Sequence, residues 1–343
     1  MKLFLIHHRS PHHASKSGYG RLLAYLDAKV IYGTTKFPFR LAKIIAGFHS
    51  QAMGNYNVGS VLKTIELYKL LKKEKGQPSI VHFLNGERDI RYLGFLKKRF
   101  PNTRFVATFH KPPEVLKKII TNSTALQKLD GAIAVGANQV SFLKDWLQLE
   151  NVVYIPHGVD TKFFCPNPSV KNKNSLLFVG QHLRDFKTFN TTIPEIATLL
   201  SQLKVTVVIH PSYAHKIDTH EQLNILTNVD DEMLRTLYQE ASVLYLPMLD
   251  STACNSILEA MACGLPIITS NVGGNAIYLK NTINLLIEPG NEEGYVQEAT
   301  VVMQNLQRLC EMGVQSRKEA LEMDWECVVN ELQTFYSQCL LKN

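Results

Sequence analysis

The sequence lacks several features that would set it apart from ordinary globular proteins. Its 343 residues contain no apolar run of the roughly 18 residues that a membrane-spanning helix needs. The N-terminal run MKLFLI is too short for a secretory signal peptide and is predicted to form a first strand. The six cysteines form no C-x-x-C pair and no metal-ligand spacing, which indicates reduced thiols. We therefore expect a globular protein of the cytoplasm.

Acidic residues are scarce in the first half of the chain. Residues 1–160 hold 24 Lys and Arg against 10 Asp and Glu, whereas residues 161–343 hold 13 against 20. The first half therefore carries +14 and the second −7, within a net charge of +7. A basic half suits phosphates, an anionic membrane surface or nucleic acid, and the alternative is a solvated face without a ligand. Since no basic motif is interleaved with aromatic residues, nucleic acid is not a predicted partner.

Short apolar runs alternate with longer amphipathic stretches along the whole chain. The predicted strands are KLFLI, KVIYG, SIVHFL, RFVATFH, GAIAVG and VVYIP in the first half, and SLLFVG, VTVVIH, LNILT, VLYLP, PIITS and NLLIEP in the second. Nearly continuous apolar strands between helices are typical of parallel sheets that are covered on both faces. Two such series predict an α/β protein with two doubly wound domains. We place them at residues 1–160 and 161–322, around the proline-rich stretch IPHGVDTKFFCPNPSVKNKNS, with a closing helix at 323–343.

The stretch STACNSILEAMACGLPIITSNVGG, from Ser251 to Gly274, places one carboxylate, Glu259, among apolar residues. Because an unpaired buried carboxylate is costly, Glu259 needs either solvent or a partner. One interpretation is a capping box, Ser256-x-x-Glu259, that closes the first turn of a helix. The other follows from its position after the strand VLYLP, since ligands of open α/β sheets bind at the carboxyl ends of strands. There, a carboxylate accepts hydrogen bonds from the hydroxyls of a ribose or a hexose.

Several motifs in a fixed order carry a family resemblance. EAMACGLPIITSNVGG resembles the nucleotide-sugar signature of the retaining glycosyltransferases of family 4, which have the GT-B fold of two Rossmann-like domains facing a cleft. IPHGVDTKFF resembles the linker motif of that family, with His157 where the family usually has Asn. LLFVGQHLRDFKTF resembles its phosphate loop, and ATFHKPP resembles a first-domain strand with a sugar-contacting histidine. The resemblance extends over roughly the whole chain and is strong over residues 150–275.

The resemblance implies that Glu259 binds the ribose hydroxyls of a donor. In the family, a first glutamate lies eight positions earlier, where this chain has Ser251 beside Asp250. Either residue replaces it near the transferred sugar, or the activity differs. The donor-binding positions implied by the family are Gly180, Thr227, Asp250, Ser251, Thr252, Ala253, Cys254 and Asn255.

Three further catalytic positions are implied. Arg184 and Lys187 match the cationic pair of the family, which binds the donor diphosphate. Fixed cations stabilise a leaving group that gains negative charge as the glycosidic bond breaks. The alternative is a surface loop with ordinary charges. His110 ends the strand in ATFHKPP and is implied to contact the donor sugar, and the alternative is a structural hydrogen bond.

Two loops of the first half carry weaker signals. Gly18, Tyr19 and Gly20 in SGYGRLL resemble the first loop of the family, which approaches the acceptor and the donor phosphates, although an ordinary turn explains them equally. Glu87 and Asp89 in NGERD either bind acceptor hydroxyls or cap a helix. The histidines of HHRSPHH do not predict a metal site, because adjacent histidines on a strand point to opposite faces.

The resemblance implies a retaining, metal-independent hexosyltransferase without a cofactor. Its substrates are a nucleotide-diphosphate sugar and an acceptor hydroxyl on a glycan or a lipid-linked molecule. Among donors, we expect a UDP-sugar. The basic helices LKTIELYKLLKKEKG, LKKRF and EVLKKII leave open a peripheral contact with an anionic membrane at its inner face, and the alternative is that their apolar sides are core. Two other classes of function also stay open: an epimerase or hydrolase of nucleotide sugars, and a non-catalytic protein that binds nucleotide sugars or glycans.

Overall fold

The computed structural model describes residues 2–8, 16–47, 54–167 and 174–341, which form two compact units. Of these, residues 2–8, 19–157 and 326–341 belong to the first unit, and residues 16–18 and 158–325 to the second. The change of unit after residue 157 lies close to the boundary placed after residue 160. Two segments fall differently from the expected division, since residues 16–18 join the second unit and nearly all of the final helix joins the first.

The first unit is built on a sheet of six parallel strands in the order β2-β1-β3-β4-β5-β6. The strands are β1 Lys2–Ile6, β2 Lys29–Ile31, β3 Ser79–Phe83, β4 Thr103–Phe109, β5 Gly131–Ala134 and β6 Val152–Tyr154. The helices are α1 Phe39–Gly47, α2 Val58–Lys73, α3 Leu93–Arg99, α4 Pro113–Ile119 and α5 Val140–Leu147, with short 3₁₀ helices at Tyr19–Ala24, Leu126–Lys128 and Ala137–Gln139. The inner strands β3, β4 and β5 are almost wholly buried, as their apolar runs predicted, whereas the edge strands β2 and β6 are partly exposed.

The second unit contains another sheet of six parallel strands, in the order β12-β11-β10-β7-β8-β9. The strands are β7 Ser175–Val179, β8 Lys204–Val208, β9 Leu223–Leu226, β10 Val243–Leu246, β11 Ile267–Ser270 and β12 Leu285–Ile287. The helices are α6 Phe186–Leu199, α7 Asp231–Glu240, α8 Asn255–Ala262, α9 Asn275–Tyr278, α10 Glu292–Met303 and α11 Leu306–Glu322, with a 3₁₀ helix at Pro211–Lys216. The prediction of two doubly wound α/β domains is confirmed. Among the described residues, no helix has the length and apolar character that crossing a bilayer requires.

The final helix, α12 Trp325–Leu341, packs on the first sheet. The hydroxyl of Tyr336 lies 2.6 Å from Nδ1 of His82 in β3, and Nε2 of the same ring lies 2.7 Å from Oγ1 of Thr108 in β4. Burial lowers the pKa of His82 to about 3, so the ring stays neutral. A side chain at Gly131 would lie 2.7 Å from the ring of Phe335, so the glycine lets the helix approach β5. These contacts explain why the closing helix belongs to the first unit.

Candidate functional site

The strand order of the second sheet reverses between β7 and β10, and open α/β sheets bind ligands at such a point. The loop that follows β7 and the loop that follows β10 are joined there by backbone hydrogen bonds. Leu249 donates to the carbonyl of Leu183 at 2.9 Å, and Asp185 donates to the carbonyl of Pro247 at 3.0 Å. The two loops therefore form one surface at the amino end of α8.

The glycine pair at the end of the signature stretch holds the loop that precedes α8. A Cβ at Gly273 would lie 1.8 Å from the carbonyl oxygen of Ser251, and one at Gly274 would lie 2.0 Å from that of Thr252. The amide of Gly274 also donates to the carbonyl of Ser251 at 2.9 Å. Because no side chain fits between these backbones, both glycines are required for this loop conformation.

Glu259 lies on α8 with only 4% of its surface exposed. One carboxylate oxygen accepts a hydrogen bond from the hydroxyl of Ser17, and the other accepts one from the hydroxyl of Tyr238 at 2.9 Å. The helix begins after Cys254, which makes no side-chain capping bond, so the capping-box interpretation is wrong. Both oxygens of Glu259 are thus bound by neutral hydroxyls, and no lysine or arginine of the described residues forms an ion pair with it.

Burial raises the pKa of Glu259 to about 7. The hydrogen bonds from Ser17 and Tyr238 oppose this rise, as does the positive charge of Arg184, while the negative charge of Asp231 adds to it. Near neutral pH the carboxyl group is therefore close to its midpoint. A further hydroxyl donor, or a nearby cation, favours its ionised form.

The segment of residues 16–18 forms one wall of a small cavity beside Glu259. The amide of Lys16 donates to Oδ2 of Asp231 at 2.8 Å, which fixes the segment against α7. Asn255 and Trp325 line other sides of the cavity. The segment thus brings the hydroxyl of Ser17 within hydrogen-bonding distance of the Glu259 carboxylate, at the edge of the second sheet where the strands end.

Arg184 lies at the point where the strand order reverses and is 7% exposed. Its guanidinium donates to the carbonyls of Val179 at 2.9 Å and His182 at 3.0 Å, and to Oγ of Ser256 at 3.2 Å. A Cβ at Gly180 would lie 2.9 Å from Nη2 of Arg184, so the glycine makes room for it. Among the described residues, Arg184 forms no ion pair with a carboxylate. The loop therefore holds a buried cation in a fixed position.

Lys187 lies in the first turn of α6, with 86% of its side chain exposed. Its Nζ is 3.7 Å from Oε1 of Glu292, on α10. The structure therefore does not bring Arg184 and Lys187 together as a pair, because one side chain points into the protein and the other into solvent.

The remaining donor-binding candidates divide by burial. Ser251 and Thr252 are buried, and Oγ of Ser251 has no hydrogen-bond partner within the described structure. Oδ1 of Asp250 accepts from the amide of Ser251 at 2.7 Å. Ala253 and Asn255 are half-buried, and Cys254 is buried. Thr227 lies after β9, at the edge of the sheet.

His110 follows β4 in the first unit. Its amide and that of Lys111 donate to Oε1 of Glu87, at 2.6 and 3.1 Å, and its Nε2 lies 2.7 Å from the carbonyl of Leu84. Glu87 is 5% exposed, and its Oε2 has no partner among the described residues. Structural hydrogen bonds thus hold His110 in place, and a buried carboxylate oxygen lies beside it.

The glycine loop is divided between the two units. Gly18, with φ of +79°, belongs to the second unit, whereas Tyr19 and Gly20 belong to the first. Tyr19 is buried, with its hydroxyl 3.1 Å from Oγ1 of Thr108, and burial raises its pKa. Its ring meets that of His110 edge-on at 4.6 Å.

Sequence reasoning missed Ser17 and Tyr238 as partners of Glu259. They lie 242 and 21 residues away from it along the chain, so no local spacing connects them. The only available signal was their proximity to recognisable motifs, since Ser17 adjoins the glycine loop.

His12 and His13 of the histidine-rich stretch lie outside the described residues. Within the described residues, no group of three His, Cys, Asp or Glu has the arrangement of a metal site.

Comparison with known proteins gives a family match within the second unit. Residues 173–305 match the family model of the glycosyl transferases group 1. A component of the human phosphatidylinositol N-acetylglucosaminyltransferase is 22% identical over 167 residues, which are 46% of this chain and 34% of that protein. The D-inositol 3-phosphate glycosyltransferase of Geodermatophilus obscurus is 23% identical over 256 residues, which are 66% of this chain and 56% of that protein. The chain thus spans between a third and just over half of the length of these curated relatives.

The fold agrees with that family. Anabaena HepE, solved in complex with UDP and glucose, superposes with a TM-score of 0.69 at 15% identity, over 98% of this chain and 100% of HepE. At this identity the likeness concerns the fold alone. The resemblance stated from the motifs is supported by these matches: residues 173–305 are similar to the glycosyl transferases group 1, and the chain has the GT-B fold.

Proposed function

We propose that this chain is a glycosyltransferase that moves a hexosyl group from a nucleotide-diphosphate sugar to an acceptor hydroxyl, with retention of configuration and without a metal. The observation that carries the proposal is the buried carboxylate of Glu259, whose hydrogen-bond partners are hydroxyl groups. The ribose of a donor offers hydroxyls of the same kind in place of Ser17. The relation of residues 173–305 to the glycosyl transferases group 1 supports this assignment.

Arg184 supplies the charge for the diphosphate in this proposal. Its buried guanidinium lies beside the amino end of α8, where backbone amides also attract anions. As the glycosidic bond breaks, the diphosphate gains negative charge, and a fixed cation stabilises that state more than the ground state. Lys187 takes part by leaving Glu292, since an exposed ion pair is weak.

The transferred sugar lies, in this proposal, against the loop that precedes α8. Ser251 stands where the family has its first glutamate, and its buried Oγ has no partner within the described structure. A sugar hydroxyl would satisfy that group. No side chain described at this site is an evident covalent nucleophile, so we propose a front-face attack by the acceptor hydroxyl, whose proton passes to the leaving phosphate.

We propose UDP as the nucleotide and a phosphate-bearing or lipid-linked polyol as the acceptor, at a cytoplasmic location. HepE is described with UDP and glucose, and the names of both curated relatives contain a phosphorylated inositol. The balance of +14 over residues 1–160 suits such an acceptor.

Calorimetry with a panel of sugar nucleotides tests the donor site. We expect one of them to bind, and we expect Glu259→Gln to weaken that binding about 10- to 100-fold, because a hydrogen bond to a charged acceptor contributes about 1.5–3 kcal/mol. Glu232→Gln, which changes an exposed glutamate of α7, is the matched control and should bind as the wild type does. Wild-type affinity in Glu259→Gln, or no heat with any sugar nucleotide, contradicts the proposal.

Turnover then separates the classes of function. Transfer of the sugar that depends on an added acceptor supports the transferase. Conversion of the donor alone would indicate an epimerase or hydrolase instead. Donor binding without turnover, tested with a broad panel of acceptors, would indicate a binding protein. Ser251, at the position of the family's first glutamate, would then explain the missing activity.

A further inference from the structure

Helix α1 exposes large apolar side chains in the first unit. Phe39, Leu41 and Ile44 are 66%, 49% and 54% exposed, and Ala42 is the one buried residue of the helix. On a soluble helix the apolar residues normally face the core. Here most of the apolar surface faces outward.

Along the chain from residue 28 to residue 65, the charges have a single sign. No Asp or Glu occurs between Asp27 and Glu66, whereas Lys and Arg occur five times in that interval. Arg40 and Lys43 are exposed on α1 itself, beside the exposed Phe39 and Ile44. The exposed side of α1 therefore combines apolar and cationic groups.

The neighbouring basic helices differ from α1. Most of their apolar residues are buried in the first core, including Leu67 and Leu71 of α2, Leu96 of α3 and Leu116 of α4, whereas Phe95 of α3 is 58% exposed. The sequence had left these helices open as membrane contacts, with a core position as the alternative. Their apolar sides are mainly core, which leaves their lysines and the single Phe95 for a surface contact.

The chain before α1 is held in place. The amides of Gly33 and Thr34 donate to Oε2 of Glu66 at 2.9 and 2.8 Å, and Nζ of Lys69 lies 2.8 Å from Oγ1 of Thr35. Both Glu66 and Lys69 are on α2. The segment that leads into α1 and its exposed apolar side chains is thus anchored to α2 by these hydrogen bonds.

We propose that the exposed side of α1, formed by Phe39, Arg40, Leu41, Lys43 and Ile44, docks on an anionic lipid bilayer. The apolar side chains enter the interface between headgroups and acyl chains, and the cations meet the lipid phosphates. Charge complementarity favours this occupant over a basic or neutral protein surface, since this interval of the chain offers no carboxylate. The inference goes beyond the proposed transfer reaction and does not depend on it.

Co-sedimentation with vesicles tests the docking surface. We expect the wild type to bind vesicles of phosphatidylcholine in which about a third of the lipid is anionic phosphatidylglycerol, and to bind pure phosphatidylcholine far less. Raising the salt should weaken binding, because exposed charges are screened. The double variant Phe39→Ser/Ile44→Ser should lower binding at least about 10-fold, since it removes the interfacial apolar groups.

Matched controls separate α1 from other surfaces. Leu306→Ser/Val314→Ser removes apolar groups that are 68% and 64% exposed on α11, and it should bind vesicles as the wild type does. Arg40→Glu/Lys43→Glu should lose more binding than Lys72→Glu/Lys73→Glu at the end of α2. Circular dichroism and the midpoint of denaturant unfolding, unchanged in all four, show that each variant is folded.

Three results would overturn the proposal: no preference for anionic vesicles, wild-type binding by Phe39→Ser/Ile44→Ser, or equal losses in the α1 and α11 variants. A further contradiction would be a concentration-dependent dimer, seen by light scattering, that the α1 variant abolishes while vesicle binding is absent. That result would assign the surface to a second copy of the chain. Donor binding would be unaffected in every case, so failure here leaves the proposed transfer reaction to its own test.

Discussion

Two of the buried carboxylates, Asp89 in the first unit and Glu259 in the second, lie at comparable depth but have opposite kinds of partner. Asp89 is 6% exposed, with Nζ of Lys63 at 2.6 Å and Oγ of Ser60 at 2.6 Å. Glu259 is 4% exposed and is bound by hydroxyls alone. The first carboxylate has its countercharge within the fold, whereas the second has a raised pKa and only neutral hydroxyls as partners. Burial by itself therefore does not indicate a binding site, and the kind of partner does.

Breaking the ion pair of the first unit should have the largest effect. Lys63→Met leaves the buried Asp89 with only the more distant Arg88, whose Nε lies 3.7 Å from Oδ2, and we expect a loss of about 3 kcal/mol in the free energy of unfolding of that unit. Burial lowers the pKa of Lys63 and Asp89 opposes this shift, which fits a pair that was costly to bury. Denaturant unfolding, followed by the fluorescence of Trp146 in a common Trp325→Phe background, measures the loss.

Two further variants test that interpretation. Lys117→Met breaks an exposed pair with Glu114 and should change stability little. Lys63→Met/Asp89→Asn removes both charges, keeps a side chain that tolerates the φ of +67° at this position, and should recover much of the loss, because no buried charge is left unpaired. If the double variant were as unstable as Lys63→Met, packing of the lysine chain and not charge would explain the effect.

The pH dependence of stability should distinguish the second carboxylate. The pKa of Glu259 rises from 4.5 to about 7 on folding, so the folded state binds the proton more tightly than the unfolded chain. Its stabilising contribution is complete below about pH 4.5 and is lost as the pH rises through about 7. Between about pH 5 and 8, the wild type should lose about 2–3 kcal/mol of unfolding free energy relative to Glu259→Gln.

Urea unfolding of both proteins across that range measures the difference. A constant difference over the whole range would show that Glu259 keeps an ordinary pKa in the folded state. It would also remove the contrast with Asp89, since Glu259 would then keep an ordinary pKa although no cation is paired with it.

The strands and the position of Glu259 were predictable, and its partners were not. All twelve predicted strands are present, because a parallel sheet covered on both faces needs nearly continuous apolar runs that are visible in the sequence. The placement of Arg184 near the reversal of strand order followed from its motif. Its bonds to backbone carbonyls did not, since they depend on the loop conformation that Gly180 permits. Ser17 and Tyr238 reach Glu259 only through the packing of separate elements, for which no spacing rule exists.

The smallest effect in this comparison is expected from the hydroxyl of Tyr238. Tyr238→Phe removes the donor at 2.9 Å from Oε2 of Glu259, and because that bond lowers the pKa of Glu259, the midpoint of the pH-dependent stability change should move upward. We expect a loss of about 1–2 kcal/mol near pH 8, where the carboxylate is ionised, and a smaller loss near pH 5. Tyr295→Phe is the control, since its hydroxyl lies 2.8 Å from the neutral Oγ of Ser270. That variant should lose the same stability at both pH values, and an equally flat loss in Tyr238→Phe would mean that the tyrosine only fills space beside an already protonated Glu259.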